Sequence, residues 1–267
     1  MVFIEPHPDA TCLTAYLVAS LTDDELAKVK AKFEIGACSR FNPLLELKII
    51  HSPDDYIGKS HQYMRAKENE AGREEAFIVI DEDAIKRHAV WYVDAFADAD
   101  AVERGEVEST EVVMKILVKT ECLALTRINY EIANMDIEED LDYAEVERPL
   151  RNDFWQPEVS DCGGLDMVDQ QRYQDVEVTA EPGEFEESRE KELLDNLSPR
   201  PDKVGKLKDE VARAAGILAS WTFIGDADPV DLPDGSQKTF PAGSVRLQHT
   251  YDPDFLWPEY RWTEGSL

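Results

Sequence analysis

Apolar residues near the amino terminus recur with the period of a helix. Leu26, Val29 and Phe33 follow one another at intervals of three and four positions, which predicts a helix that buries one face. Thr22 and Glu25 have the spacing of a capping box, in which each side chain accepts a hydrogen bond from the other residue's backbone N–H. The helix is therefore expected to begin directly after Thr22.

Short runs of branched and aromatic residues predict a β-sheet in the first half of the chain. The predicted strands are Leu44–Ile50, Phe77–Ile80, Val90–Phe96 and Val112–Val118, with a helix at 54–71. Phe77–Ile80 is apolar throughout, as in a strand covered on both faces, whereas Lys115 makes the last strand half polar. Because helices interleave only with the first strands, we predict an α/β or α+β fold with a mixed β-sheet and packed helices over residues 1–148.

The pattern changes after residue 148. Residues 149–202 are rich in proline, glycine and acidic side chains, which predicts an acidic, partly irregular connection in which 184–197 is a candidate for an exposed helix. Apolar residues then repeat every three or four positions from Lys203 to Trp221 and predict a helix of about five turns. Turn sequences follow and predict a β-hairpin whose second strand is Ser244–Gln248. We expect this C-terminal helix and hairpin, residues 203–267, to pack on the first domain.

The charge of the chain limits its partners. It carries 57 acidic and 28 basic side chains, a formal net charge of −29, so direct binding of nucleic acid is not expected. Residues 131–202 alone hold 23 acidic and 6 basic side chains, which is more than half of that charge. Two interpretations stay open for this stretch, a solvated linker or a surface for a basic protein partner. For the second, the candidate partner-binding residues are Glu138, Glu139, Asp140 and Asp142.

The sequence also bears on location. No apolar run approaches the roughly 18 residues of a membrane helix, and the first residues lack the pattern of a signal peptide. We therefore expect a soluble, cytoplasmic protein that does not associate with membranes. The four cysteines include no C-x-x-C pair, so free buried thiols are the favoured interpretation over a metal site or a disulfide.

One motif suggests zinc at first sight. The segment from Val2 to Asp9 contains Pro-His-Pro-Asp and resembles the strand and loop of zinc-dependent sugar deacetylases, in which His7 and Asp9 would ligate the metal. That family continues with a second aspartate, where this chain has Ala10, and no later histidine motif completes a ligand set. We therefore expect no metal site and no cofactor.

A second resemblance covers residues 75–145. The stretch Asn129–Asp136 contains Ile-Ala-Asn-Met-Asp, and two apolar strands that end in aspartate, Phe77–Asp81 and Trp91–Asp94, precede it. This arrangement resembles an uncharacterised domain family of bacteria and fungi, and the resemblance implies a fold without implying an activity. Asn134 and Asp136 have short polar side chains suited to capping a helix that begins at residue 137 or 138.

Two functions from different classes follow from these observations. The leading one is a non-enzymatic interaction or regulatory protein whose acidic surface engages a basic protein partner. The alternative is an enzyme of unassigned class with a site around the Asn129–Asp136 stretch. Its candidate pocket residues are Asp81, Asp94, Asn129, Asn134 and Asp136. Convergence of these side chains in one cavity would favour the enzyme, and their dispersal would favour the interaction protein.

Overall fold

Helices and strands alternate through residues 10–170, whereas strands prevail after residue 171. The computed structural model describes residues 2–5, 10–37, 43–51, 55–170, 172–232 and 234–257. The strands are β1 (Phe3–Ile4), β2 (Thr11–Leu17), β3 (Leu45–His51), β4 (Phe77–Ile80), β5 (Ala89–Phe96), β6 (Val113–Lys119), β7 (Asp175–Ala180), β8 (Phe185–Ser188), β9 (Val204–Leu207), β10 (Ile217–Leu218), β11 (Gly225–Asp226), β12 (Val230–Asp231), β13 (Gln237–Lys238) and β14 (Val245–Tyr251). The helices are α1 (Asp23–Gly36), α2 (His61–Glu70), α3 (Asp83–Lys86), α4 (Ala99–Glu103), α5 (Leu123–Glu131), α6 (Ile137–Tyr143), α7 (Met167–Gln170), α8 (Lys191–Leu194) and α9 (Asp209–Ala215), and the 3₁₀ turn Thr120–Cys122 precedes α5.

The chain divides into two compact units. The N-terminal unit contains the described residues of 10–170, and the C-terminal unit combines residues 2–5 with those of 172–257. This division corrects the predicted boundaries at 148 and 202, because residues 149–170 belong to the first unit and 172–202 supply β7, β8 and α8 to the second. The composition of a segment indicates whether the segment is exposed to solvent, but not which distant strand pairs with it. Composition therefore could not locate the boundary between the two units.

A mixed five-stranded sheet forms the centre of the N-terminal unit. Its strand order is β3-β2-β4-β5-β6. β2 runs parallel to β3 and β4, whereas β5 is antiparallel to both β4 and β6. The predicted mixed sheet with packed helices is thereby confirmed, and the fold is α+β.

Buried side chains on both faces of this sheet form separate cores. In β4, Ile78 and Ile80 lie in the core that contains Phe33 of α1, and Phe77 and Val79 lie in the opposite core. The four residues are 2% exposed or less, which confirms the prediction that this strand is covered on both faces.

The capping box predicted for the first helix is also confirmed. The Glu25 N–H donates to Thr22 Oγ1 at 3.3 Å, and the Thr22 N–H donates to Glu25 Oε2 at 2.9 Å. α1 accordingly begins at Asp23, and the buried Val29 and Phe33 lie on its sheet-facing side.

Three details of this unit differ from the expectation. The strand β2 was not predicted, although its alternate residues Leu13, Ala15 and Leu17 share one core. The helix predicted from residue 54 begins instead at His61, after the N-cap Ser60. Lys115 is only 7% exposed rather than on a polar face, because its ammonium lies over two aromatic rings and donates to a backbone carbonyl.

The C-terminal unit is built on an antiparallel sheet of order β1-β7-β14-β10, to which β11 adds at β14. The five-turn helix predicted at 203–221 is wrong: β9 pairs with β8, and α9 ends at Ala215, before the C-cap Gly216, whose φ of +69° is left-handed. The apolar residues of β9 are buried by strand pairing, which overrides their helical spacing.

The exposed helix predicted at 184–197 is likewise a strand, β8, followed by the single turn α8. The hairpin predicted with Ser244–Gln248 as its second strand is wrong, because β14, which contains most of this stretch, pairs with β7, β10 and β11. A local hairpin forms instead between β12 and β13. Within the described residues, no helix is long and apolar enough to cross a lipid bilayer.

Candidate functional site

A groove of about 580 Å³ opens in the N-terminal unit. It lies between α5, the start and end of α6, and the irregular segment 158–165. The residues that line it are Leu125, Thr126, Asn129, Met135, Asp140, Tyr143, Ala144, Glu158, Val159, Ser160, Asp161, Cys162, Gly163 and Leu165.

The segment 158–165 is held in place by the edge of the sheet. The Gln156 side chain acts as a backbone substitute there: its Oε1 accepts from the Leu117 N–H at 2.7 Å, and its Nε2 donates to the Leu117 carbonyl at 2.9 Å. Ser160 then forms a parallel bridge with Val118, and the Lys119 N–H donates to the Ser160 carbonyl at 2.9 Å. The edge of β6 therefore positions the outer wall of the groove.

Asp140 lies on the α6 side of the groove. α6 begins at the N-cap Asp136, whose Oδ1 accepts from the Glu139 N–H at 2.8 Å, and this start brings Asp140 into the interior. Its carboxylate accepts from Tyr130 Oη at 2.5 Å, and Ser160 Oγ lies 3.5 Å away. Burial raises the pKa of Asp140 more than these two hydroxyls lower it.

Charge in the groove is of one sign. Asp140, Glu158 and Asp161 line it, and no lysine or arginine is among its lining residues. Asp161 is partly neutralised from outside the groove, because its carboxylate pairs with Lys119 at 3.1 Å. Burial alone would raise the pKa of Asp161, but this ammonium and the Gly164 N–H outweigh burial and hold it below its usual value. The groove therefore presents a negative surface.

Apolar groups flank these carboxylates. Tyr143 is 77% exposed and Leu165 is 47% exposed, one on each side of the groove. Leu125, Met135 and Val159 contribute further apolar surface between them. Exposed apolar side chains grouped around carboxylates are typical of a binding surface for an amphipathic group.

Cys162 lies at the wall of the groove, next to the backbone of Cys122. Cys162 lines the groove, and its Sγ lies 3.8 Å from Thr126 Oγ1 and 3.7 Å from the carbonyl oxygen of Cys122. Cys162 has a left-handed φ of +55°, and Gly163 and Gly164 continue with positive φ, so the chain turns sharply there. The described cysteines are free thiols, but only Cys122 is fully buried and Cys12 is exposed, which corrects the expectation that all are buried.

The predicted pocket residues do not line a common cavity. Asn129 lines the groove, whereas Asp94 and Asp136 line a separate cavity of about 310 Å³. Asp81 and Asn134 line neither of these two cavities. Asp81 instead accepts from the Asp83 N–H at 2.9 Å, and burial raises the pKa of Asp81.

The predicted helix caps are half confirmed. Asp136 is the N-cap of α6 and forms a capping box with Glu139. Asn134 does not cap the helix, because its amide nitrogen donates to Asn129 Oδ1 at 3.3 Å and its side chain lies on the surface.

The predicted partner-binding acids have separate surroundings. Asp140 is buried in the groove wall, and Glu139 completes the capping box of α6. Asp142 pairs with Arg148 at 2.8 Å, and Glu138 is half-buried, which raises its pKa. Of these four residues, only Asp140 lines the groove.

The wall of the groove that is formed by residues 158–165 was not predicted from the sequence. Glu158, Ser160, Asp161 and Cys162 fall in the stretch read as a connection, and no catalytic or metal motif marks them. The short run Asp-Cys-Gly-Gly at 161–164 was the available signal, because consecutive glycines after a cysteine indicate a sharp turn.

No protein-family model matches the chain, and neither does any curated protein or solved structure. The resemblance of residues 75–145 to an uncharacterised domain family therefore stays a prediction. Among the described residues, no group of three or more His, Cys, Asp or Glu side chains is placed to hold a metal ion. His7 and Asp9 lie outside the described residues, so the expected absence of zinc at that motif also stays a prediction.

Proposed function

We propose that this chain is a non-enzymatic interaction protein that engages a basic protein partner, and that a lysine- or arginine-bearing segment of the partner binds in the groove. The observation that carries the proposal is the lining of the groove, which includes Asp140, Glu158 and Asp161 and no basic side chain. A cationic group that enters the groove meets carboxylates and no opposing positive charge among these lining residues.

The apolar surface of the groove fits the same kind of ligand. Lysine and arginine side chains bury an aliphatic stem and keep the charged head near polar groups. Leu125, Val159 and Leu165 supply surface for such stems, and Glu158 supplies an acceptor for the head. The exposed ring of Tyr143 adds a face over which a cation can lie.

The charge of the whole chain supports recruitment of such a partner. A net charge of −29 produces a negative field that reaches about 8 Å at physiological salt. Such a field raises the rate of encounter with basic proteins more than it lowers the rate of dissociation. We therefore expect the association rate constant to fall steeply as salt is added.

The alternative, an enzyme, has less support. The five predicted pocket residues lie in two cavities or in neither, so they do not form one set of acid, base and binding groups.

Free thiols at Cys12, Cys122 and Cys162 are in keeping with a cytoplasmic location, where thiols stay reduced. The proposal places the partner in the same compartment.

Fluorescence anisotropy with two matched probes tests the proposal. One probe is a short labelled peptide of alternating lysine, leucine and serine, and the other has glutamate in place of each lysine. The lysine peptide is expected to bind, and Glu158→Gln is expected to weaken it about fivefold, the effect of one partly exposed ion pair near 1 kcal/mol. Leu165→Ser should weaken it as well, through lost apolar contact.

Two control variants match these changes outside the groove. Glu147→Gln removes the same charge from an exposed residue, and Val168→Ser removes a 63% exposed apolar side chain. Neither control should change the affinity by more than about twofold, because neither residue lines the groove. Equal binding of the two peptides, or equal losses in groove and control variants, would overturn the proposal.

A further inference from the structure

The topology of the sheet edge brings two cysteines together that are 40 positions apart. β6 ends at Lys119 and passes into the 3₁₀ turn that contains Cys122. The segment that bridges β6 in parallel at Ser160 reaches Cys162 two residues later. Because the bridge is parallel, both segments continue past the same end of it, and the Sγ of Cys162 lies 3.7 Å from the backbone carbonyl oxygen of Cys122.

The two thiols differ in their access to solvent. Cys162 is half-buried and lines the 580 Å³ groove, which is wide enough for a small oxidant to enter. Cys122 is 1% exposed and packs in the core of the N-terminal unit. A reagent from solvent therefore reaches Cys162 first, and Cys122 reacts only with a group already on its neighbour.

We propose that Cys162 is a modification site for hydroperoxides and that Cys122 is the thiol that resolves it, so that oxidation ends in a Cys122–Cys162 disulfide. The groove supplies the route for the oxidant, and the sheet edge supplies the second thiol. This inference does not depend on the proposed binding of a basic partner.

The difference in burial assigns the roles, because only Cys162 is open to the groove. The pKa directions agree: the interaction of the two thiols lowers the pKa of Cys162, and the same interaction together with burial raises the pKa of Cys122. Cys162 is therefore the thiol that forms the thiolate, which is the reactive species towards peroxides. Thr126 Oγ1, 3.8 Å from Cys162 Sγ, gives a further hydrogen bond to the same sulfur.

The chemistry needs one equivalent of hydroperoxide. The Cys162 thiolate attacks the terminal oxygen of the hydroperoxide, an S–O bond forms as the O–O bond breaks, and the sulfur loses two electrons to give a sulfenic acid. The departing hydroxide or alkoxide takes up the proton that the Cys162 thiol released and leaves as water or the alcohol. The Cys122 sulfur then attacks the sulfenyl sulfur, the S–S bond forms, the S–O bond breaks, and the departing hydroxide takes the Cys122 proton to leave as water.

Peptide mapping after exposure to one equivalent of hydrogen peroxide tests the proposal on the full chain. Trypsin separates the four cysteines into the peptides 1–28, 33–40, 120–127 and 152–172, so each thiol is read independently. We expect a disulfide between 120–127 and 152–172 that forms before Cys12 or Cys38 is oxidised, and that reduction with dithiothreitol reverses.

Two variants test the order of events. In Cys122→Ser, Cys162 should accumulate as a sulfenic acid that a 1,3-diketone probe traps, because no second thiol is left to form the disulfide. In Cys162→Ser, Cys122 should stay reduced. The mapping on the unaltered chain remains decisive if either variant does not fold. Prior oxidation of Cys12 or Cys38, with peptides 120–127 and 152–172 still reduced and unlinked, would overturn the proposal.

Discussion

Acid should destabilise the N-terminal unit through one imidazole. His61 is the first residue of α2, its ring centroid lies 5.2 Å from that of Trp91, and its Nδ1 has no hydrogen-bond partner among the described residues. Burial, with a smaller contribution from the nearby Lys115 ammonium, lowers the pKa of His61 to about 3. The folded unit therefore keeps this imidazole neutral at pH values where an unfolded chain protonates it.

The size of the effect follows from the two pKa values. An unfolded histidine has a pKa of about 6.5, so above this pH neither state is protonated and His61 makes stability independent of pH. Between about pH 6.5 and about pH 3 only the unfolded state binds the proton, and stability falls by about 1.4 kcal/mol per pH unit. At about pH 5 the expected loss from His61 is therefore about 2 kcal/mol relative to pH 7.5.

The variant His61→Phe isolates this contribution, because phenylalanine keeps an aromatic ring against Trp91 and cannot be protonated. Urea melts at about pH 7.5 and about pH 5 would be followed by the NMR signal of the Trp91 indole N–H, which reports on this unit alone. The stability difference between variant and wild type should shift by about 2 kcal/mol in favour of the variant at the lower pH. His249, whose burial lowers its pKa to about 4, is present in both proteins and cancels. Equal acid losses in the two proteins would refute the reasoning.

Three further predictions concern local structure. Asp136→Ala should cost about 0.5–2 kcal/mol in urea melts because α6 loses its N-cap, whereas Asn134→Ala should change the midpoint little; equal effects would contradict the cap assignment. Gly36→Ala should lower the melting temperature although alanine favours helices, because a Cβ there would lie 1.7 Å from the Glu121 carbonyl oxygen. Gln156→Ala should cost about 1–3 kcal/mol in denaturant melts by leaving a backbone N–H and carbonyl of the edge strand without partners, and an unchanged midpoint would contradict the role of this amide.

Features fixed by neighbouring residues could be predicted from the sequence. The capping box of Thr22 and Glu25, the cap at Asp136 and the fully apolar strand β4 all appear as expected. Each depends on side chains within four positions of one another, or on the alternation of a single short strand, so the local pattern contains the necessary information. The absence of a basic footprint likewise follows from composition alone.

The position of Lys115 shows where this information ends. In the sequence it makes its strand half polar, whereas in the structure it is buried because Trp91 and Phe154, from a neighbouring strand and a distant loop, cover its ammonium. Its burial also lowers the pKa of Lys115 to about 8. Neither ring is close to it in the chain, so no local window could predict this contact.

Tertiary structure alone decided the architecture after residue 148 and with it the groove. The helical spacing between Lys203 and Trp221 does not produce one long helix. Residues 204–207 form β9, which pairs with β8, and the helix that follows, α9, is ended by its C-cap Gly216. The wall that contains Glu158 and Cys162 exists because Gln156 and Ser160 attach their segment to the edge of β6. These pairings join residues about 40 positions apart, and hydrogen bonds between distant backbone groups leave no periodic mark in the sequence of either partner.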